Sequence, residues 1–211
     1  MIAPESMLIE KYGVSRTTVR QAIAELIAEK YYITIRGKGT FVADRKVDLA
    51  YMNKIESFAE QVRNSGYMPY TKVLEQKRVS ASPEVAKQLQ IPEGLEVLYL
   101  KRLRFADTVP IALEESNHPL SLCEELLRLH LEQHSLYEAL SREKETEVRH
   151  VRRTIKAKLA QEEERSLLQL EEDAVVVYFV NMGYTADEMP IEYCLSSYRG
   201  DFKVFTVDLY K

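Results

Sequence analysis

From about residue 73 onward the chain repeats itself, and this constrains its fold more than any other feature. The first copy runs from Val73 to Glu114. It opens with a β-prone stretch, continues with a short helix from Pro83 to Leu89, and breaks at Pro92-Glu93-Gly94. A strand from Leu95 to Phe105 follows, then a turn at Ala106-Asp107 and a strand opening with Val109-Pro110-Ile111. The second copy begins at Val151 and is β-prone to Leu159. A helix from Ala160 to Leu168, a break at Glu171-Glu172-Asp173, a strand from Ala174 to Tyr184, a turn at Ala186-Asp187 and Met189-Pro190-Ile191 complete it. Pro110-Ile111 and Pro190-Ile191 match at an offset of 80 residues. Two copies are too few for a solenoid, so the pattern predicts a duplicated β-α-β-β unit forming one mostly antiparallel sheet, with helices on one side. A helix from Ile55 to Val62 precedes the pair, and a strand from Val204 to Tyr210 follows it. The fold class is α+β.

The copies differ in their charged residues. Arg102 and Arg104 lie two apart on the first copy's long strand, so both side chains leave one face. Their counterparts in the second copy are the uncharged Asn181 and Gly183. Adjacent guanidiniums repel and lose hydration when enclosed, so the pair calls for an anion or a carboxylate. Glu114, on the following strand, can orient one arginine or accept ligand hydroxyls. Two readings stand at this point: an Arg102–Glu114 salt bridge on the solvated face of the sheet, or an anion-binding site.

Ahead of the repeat lies a segment of different texture. Glu5 to Lys11 reads as a short helix with Leu8 and Ile9 inward, ended by Gly13. Ser15 is a good N-cap for a second helix whose apolar positions are Val19, Ala22, Ile23, Leu26 and Ile27. Arg16, Thr17, Thr18 and Arg20 fall on its first turns, away from that stripe. A helix that presents Arg and Thr at its N-terminus suits the major groove, where Arg pairs with guanine and Thr meets base edges or the thymine methyl. Those positions equally suit a solvated face. Tyr31 to Arg36, a turn at Gly37-Lys38-Gly39 and Thr40-Phe41-Val42 form a hairpin with a basic tip, the shape of a wing. Its Arg36 and Lys38 would reach the DNA backbone or minor groove, positioning the helix while specifying little sequence.

Charge divides along the same line. Residues 1–46 hold eight Lys/Arg against five acids, a net +3, while the remainder holds 21 against 28, a net −7. One end is thus suited to phosphate and the other to solvent or a small ligand. No apolar run reaches the roughly 18 residues needed to cross a bilayer, and the N-terminus lacks a secretory pattern, which predicts a cytoplasmic protein with no membrane partner. Cys123 and Cys194 have no ligand-spaced neighbours, so neither a disulfide nor a metal is expected.

The run Tyr12-Gly13-Val14-Ser15-Arg16-Thr17-Thr18-Val19-Arg20-Gln21-Ala22, followed by Gly37-Lys38-Gly39-Thr40-Phe41-Val42, resembles the winged helix-turn-helix signature of the GntR superfamily. The resemblance implies that Ser15, Arg16, Thr17, Thr18 and Arg20 meet operator DNA and that Gly37 and Gly39 let the wing approach it. It also implies a further helix ahead of Pro4. Only Met1, Ile2 and Ala3 stand there, Pro4-Glu5-Ser6 inverts the usual Pro-Ser-Glu order, and Lys30 replaces a helix-ending glycine. The expectation for residues 1–46 is therefore a partial winged unit. Residues 47–211 resemble the UTRA domain of the HutC branch, whose fold is similar to chorismate lyase. The likeness lies in Lys101–Asp107, Val109–Glu114, Ser135-Leu136-Tyr137, Pro190–Tyr193 and Ser197–Phe202. It implies an effector pocket lined by Arg102, Arg104, Glu114, Glu192 and Tyr198, with Ser135 near a phosphate.

Together these features predict a repressor that binds double-stranded operator DNA as a homodimer and responds to a small anionic effector, a sugar phosphate or organic acid, without a cofactor. The alternatives are an effector-binding or dimerising protein that does not touch DNA, and a lyase-like enzyme. His118, His130, His134 and His150 show no partner at catalytic spacing, and the chain has no phosphate loop, so nothing supports the enzyme.

Overall fold

The computed structural model describes residues 2–28, 31–35, 37–42, 47–48, 55–201 and 203–204. Their contacts separate into two compact units, Met1–Lys46 and Val47–Lys211.

In the first unit α1 spans Glu5–Tyr12 and α2 spans Arg16–Ala28. Gly13 ends α1 at φ +63°, a left-handed conformation in which its N–H reaches the Ile9 carbonyl at 2.9 Å. Ser15 caps α2 as its sequence position predicts: its Oγ accepts the Thr18 N–H at 3.1 Å. Of the expected apolar stripe Val19 is buried, Ile23 and Leu26 are half-buried, and Ala22 and Ile27 are exposed. Val19 is the only buried residue of this unit among those described, so little apolar burial holds it together. Strands β1 (Tyr32–Ile35) and β2 (Gly39–Val42) form the expected antiparallel hairpin, closing at Ile35↔Gly39. Its turn uses Gly37 and Gly39 at φ +79° and +112°. Arg36 and Lys30 lie outside the described residues.

In the second unit a two-residue strand β3 (Val47–Asp48) is followed by α3 (Phe58–Asn64), which starts three residues later than its apolar pattern suggests. Ser57 and Glu60 form a reciprocal capping box that fixes this start. The first copy is β4 (Pro69–Ser80), α4 (Pro83–Leu89), β5 (Glu96–Ala106) and β6 (Val109–Pro119). Then come α5 (Leu120–Cys123), a 3-10 turn over Glu124–Leu127 and α6 (Leu136–Leu140). The second copy is β7 (His150–Leu159), α7 (Glu162–Leu168), β8 (Val175–Tyr184) and β9 (Pro190–Arg199). The duplicated β-α-β-β unit is present, and even its helix ends agree: Gln90 after α4 and Gln169 after α7 both take φ +55°.

The six long strands form one antiparallel sheet in the order β4-β5-β6-β9-β8-β7. The two copies meet at β6 and β9, whose register runs from Ala112↔Tyr198 to Asn117↔Tyr193. Of the expected final strand Val204 alone is described, within β10 (Lys203–Val204), which pairs in parallel with β3. Phe205 to Tyr210 fall outside the described residues. No described helix is long and apolar enough to cross a membrane.

One expectation needs correction. Helices cover both faces of the sheet, not one. On one face Val97 packs with Ala86 and Leu89 of α4, and Leu103 and Leu113 pack with Leu168 of α7. On the other, Leu98 and Leu100 pack with Leu120, Leu126, Leu136 and Leu140 from the segment between the copies. The alternation of β5 requires this: both parities of the strand are buried, so both faces must be covered.

Candidate effector pocket and nucleic-acid interface

The face carrying Leu98 and Leu100 also carries Arg102, and there the floor changes from apolar to charged. Arg102 and Glu114 are direct cross-strand partners, so their side chains leave the sheet side by side. Arg102 Nη2 lies 3.2 Å from Glu114 Oε2, and Arg104 Nε lies 2.7 Å from the same oxygen. Tyr198 donates its hydroxyl to the other oxygen, Oε1, at 3.2 Å. Arg104 also donates from Nη1 to Thr71 Oγ1 at 2.7 Å and stands 4.8 Å from the centre of the Phe58 ring. The Arg102–Glu114 pair of the first reading therefore exists, but not on a solvated face. Arg102 is 3% exposed and Glu114 7%.

These residues line a cavity of about 260 Å³, which also receives Ser135, Tyr137, Arg153, Asn181, Glu192, Cys194 and Ser196. All six residues expected to hold an effector thus reach one space: Arg102, Arg104, Glu114, Ser135, Glu192 and Tyr198. Ser135 does so as the N-cap of α6, its Oγ accepting the Glu138 N–H at 3.3 Å.

Charge around Glu114 is unevenly matched. One carboxylate, Glu114, stands between two guanidiniums, and Arg102 Nε is buried with no hydrogen-bond partner among the described residues. Burial and the neighbouring Arg104 depress the pKa of Arg102, which marks the environment as costly for its charge. Glu192 is 2% exposed and accepts the Tyr137 hydroxyl at 2.8 Å. Burial pushes its pKa up, against the lowering effects of that hydrogen bond and of Arg102. An oxygen-rich anion entering here would meet two guanidiniums that share one carboxylate, while the carboxyls and Tyr198 are suited to hydroxyls.

Several lining residues escape sequence reasoning. Thr71 and Arg153 belong to the outer strands β4 and β7, and their inward placement depends on register with β5 and β8. Arg153 donates from Nε to Asn181 Oδ1 at 2.7 Å and packs over Phe179 at 5.6 Å. Phe179 in turn meets Tyr198 edge-on at 5.3 Å. Asn181 had a signal, as the uncharged counterpart of Arg102. Arg153 had none.

His118, fully buried, has its pKa pushed down to about 3 by burial and by Arg102. It bonds the Ile191 carbonyl and Ser116 Oγ, both at 3.1 Å, and serves the core. Among the described residues there is no group of three or more His, Cys, Asp or Glu placed to hold a metal.

In the first unit Arg16, Thr17, Thr18 and Arg20 are exposed on the opening turns of α2, as are Gly37, Lys38 and Gly39 at the hairpin tip. Ser15 is partly committed: besides capping, its Oγ shares a hydrogen bond with Thr18 Oγ1 at 2.8 Å. A contact not anticipated from sequence ties the two arginines together. Glu5 lies 3.4 Å from Arg16 Nε through Oε2 and 3.4 Å from Arg20 Nε through Oε1.

Residues 2–42 match the family model for bacterial regulatory proteins of the gntR family, and residues 64–203 match that of the UTRA domain. The chain is similar to the HTH-type transcriptional repressor NagR of Bacillus subtilis (strain 168), 29% identical over 196 residues, covering 93% of this chain and 80% of the relative. It is 30% identical over 207 residues to the probable fructoselysine utilization operon transcriptional repressor of Escherichia coli (strain K12), covering 98% and 84%. Among solved structures it is similar to PhnF from Mycobacterium smegmatis, with a TM-score of 0.77, 26% identity, and 99% and 91% of the two chains covered. The first two relatives are named as transcriptional repressors, and with both family models matched in order the chain belongs to the GntR family, in its UTRA-bearing HutC branch, and is a DNA-binding transcription regulator.

Proposed function

We propose that this regulator is a cytoplasmic repressor in which residues 1–46 hold operator DNA and residues 47–211 bind a small anionic metabolite and dimerise. In this reading Arg16, Thr17 and Thr18 meet base edges from the start of α2, Arg20 follows one turn on, and Ser15 sets the helix terminus against phosphate. Arg36, Gly37, Lys38 and Gly39 bring the wing to the backbone. The net +3 of this segment supports the assignment. Operators read by such units are two-fold, which calls for a homodimer. Light scattering on the full chain tests this, and a monomer at tens of micromolar would contradict it.

The effector is a sugar phosphate or hydroxylated organic acid held by Arg102, Arg104, Glu114, Ser135, Glu192 and Tyr198. One observation carries this reading: two enclosed arginines share a single carboxylate. The relative named for fructoselysine utilization is linked by that name to a sugar-derived compound, and this agrees with the chemistry of the pocket. Release from DNA follows if the ligand favours one arrangement of the DNA-binding units over another. Calorimetry with hexose phosphates, phosphorylated amino sugars and dicarboxylates on the wild type and the Arg102→Ala and Arg104→Ala variants is the test. A ligand whose affinity neither change alters by more than about 0.5 kcal/mol would rule out the anion site, because charge-assisted hydrogen bonds contribute ~1.5 to 3 kcal/mol.

A further inference from the structure

The two arginines at the start of α2 are four residues apart, one helical turn, and so project from the same face. Each is tied to the same residue of α1, with one oxygen of Glu5 near Arg16 Nε and the other near Arg20 Nε. Both guanidiniums are largely exposed, with 75% and 68% of their side-chain surface open, while Glu5 is 35% open. As sources of stability such exposed pairs count for little. Their geometry is more informative. The nitrogen nearest Glu5 is Nε in both, as a hydrogen bond for Arg16 and as an ion pair for Arg20, and among the described residues no hydrogen bond engages the Nη1/Nη2 edge of either guanidinium. That edge carries two parallel N–H donors, the arrangement that matches the O6 and N7 acceptors of guanine. An arginine free in solvent samples many rotamers and pairs readily with any phosphate. One anchored by Nε to a carboxylate presents its outer edge in a fixed direction.

We propose that Glu5 is a positioning residue for DNA reading: one carboxylate clamps Arg16 and Arg20 by Nε and aims both Nη edges at the same groove. Its negative charge, close to where phosphates would lie, also weakens binding to DNA of arbitrary sequence. Glu5 thus supplies discrimination at the expense of affinity. This rests on the reading of α2 as the recognition helix. Glu5 also stands in the first turn of α1, where an acid favours the helix dipole, so its role in DNA reading must be separated from a purely structural one.

The full chain and its Glu5→Gln and Glu5→Asp variants would be used to enrich sequences from a randomised duplex library. Affinities for the enriched duplex and a scrambled duplex then follow from fluorescence anisotropy, with circular dichroism melting as a control. The wild type should enrich one motif. In Glu5→Gln the ratio of the two affinities should fall about tenfold, the scale of one bidentate base contact, with the scrambled duplex bound more tightly. Glu5→Asp keeps the charge but is one methylene short of spanning both arginines. It should lose the ratio with no gain on scrambled DNA. In an Arg16→Ala/Arg20→Ala background, Glu5→Gln should change the ratio no further.

A wild type that enriches nothing overturns the reading of α2 itself. If the wild type enriches a motif but both variants keep its ratio within twofold, the positioning role alone is overturned. Loss in Gln but not in Asp would show that only the charge matters, and loss that tracks a fall in helical signal would show a structural role. Either result removes the clamp.

Discussion

Gly183 and Glu192 face each other across β8 and β9, and the missing side chain of the first makes room for the second. A Cβ placed on Gly183 would lie 3.1 Å from Glu192 Cβ and 3.3 Å from its Oε2. In the other copy the equivalent cross-strand pair is Arg104 with Ala112, so there the large residue is on the first strand and the small one on the second. This exchange of large and small puts Arg104 on the first copy and the buried Glu192 carboxyl on the second.

Gly183→Ala should therefore overpack the floor of the pocket and cost about 1 to 3 kcal/mol in chemical unfolding. A double-mutant cycle with Glu192→Gly identifies the cause. Removing the opposing side chain should recover at least about 0.5 kcal/mol of that cost, since residues in contact couple on this scale. Additive losses would place the strain elsewhere.

How much of this was legible in the sequence depends on what kind of signal each residue leaves. Arg102 and Arg104 could be put on one face because a strand has period two, and Asn181 and Gly183 could be matched to them because they lie at the same place on the repeated strand, at an offset of 79 where Pro110 and Pro190 differ by 80. Arg153 and Thr71 reach the pocket only through the register of the outer strands, and β4 has an irregularity between Val73 and Glu75 that no local composition announces. The helices between the copies span four and five residues, too short to show helical periodicity. Without them the second face of the sheet looked uncovered. Glu5 could be placed on a helix, yet its contact with Arg16 and Arg20 depends on how two helices cross.

Glu114 should be the most sensitive charged residue of the pocket. Its removal leaves Arg102 and Arg104 enclosed without their shared carboxylate. Breaking a buried pair in this way typically costs about 3 to 5 kcal/mol. Glu114→Ala should lose stability on that scale, and phosphate or sulfate in the buffer should restore part of it by occupying the vacated position. A loss below about 1 kcal/mol would mean that water already screens the arginines.

Glu192 gives the protein a pH dependence of opposite sign to that of a salt-bridged carboxylate. Burial raises its folded pKa above the ordinary value of 4.5, so in the window between the two values the folded state holds a proton that the unfolded state has released. Stability then falls as pH rises through that window, because the unfolded state binds fewer protons there. Glu192→Gln keeps the acceptor for Tyr137 and removes the titration. Its melting temperature relative to the wild type should climb as pH increases from 4.5 and level off above the folded pKa. A difference that stays flat across pH 4 to 8 would show that Glu192 titrates at its ordinary value.

Arg16 and Lys38 should differ in what they contribute to DNA binding. Arg16 stands on the opening turn of α2, where its guanidinium can reach two acceptors of one base. Lys38 stands at the hairpin tip between two glycines, where a point charge on a flexible stem would meet phosphate. Arg16→Ala is expected to cost roughly 1 to 3 kcal/mol on the enriched duplex, relax preference at one base pair, and leave the scrambled duplex less affected. Lys38→Ala is expected to weaken both duplexes alike and reduce the slope of log affinity against log salt by about 1. Titrations on both duplexes at several salt concentrations separate the two behaviours, because a phosphate contact changes the slope whatever the sequence and a base contact changes the ratio whatever the salt. Equal losses on both duplexes for Arg16→Ala would reduce that residue to a backbone contact, and the base-reading role would then fall to Arg20 and the threonines beside it.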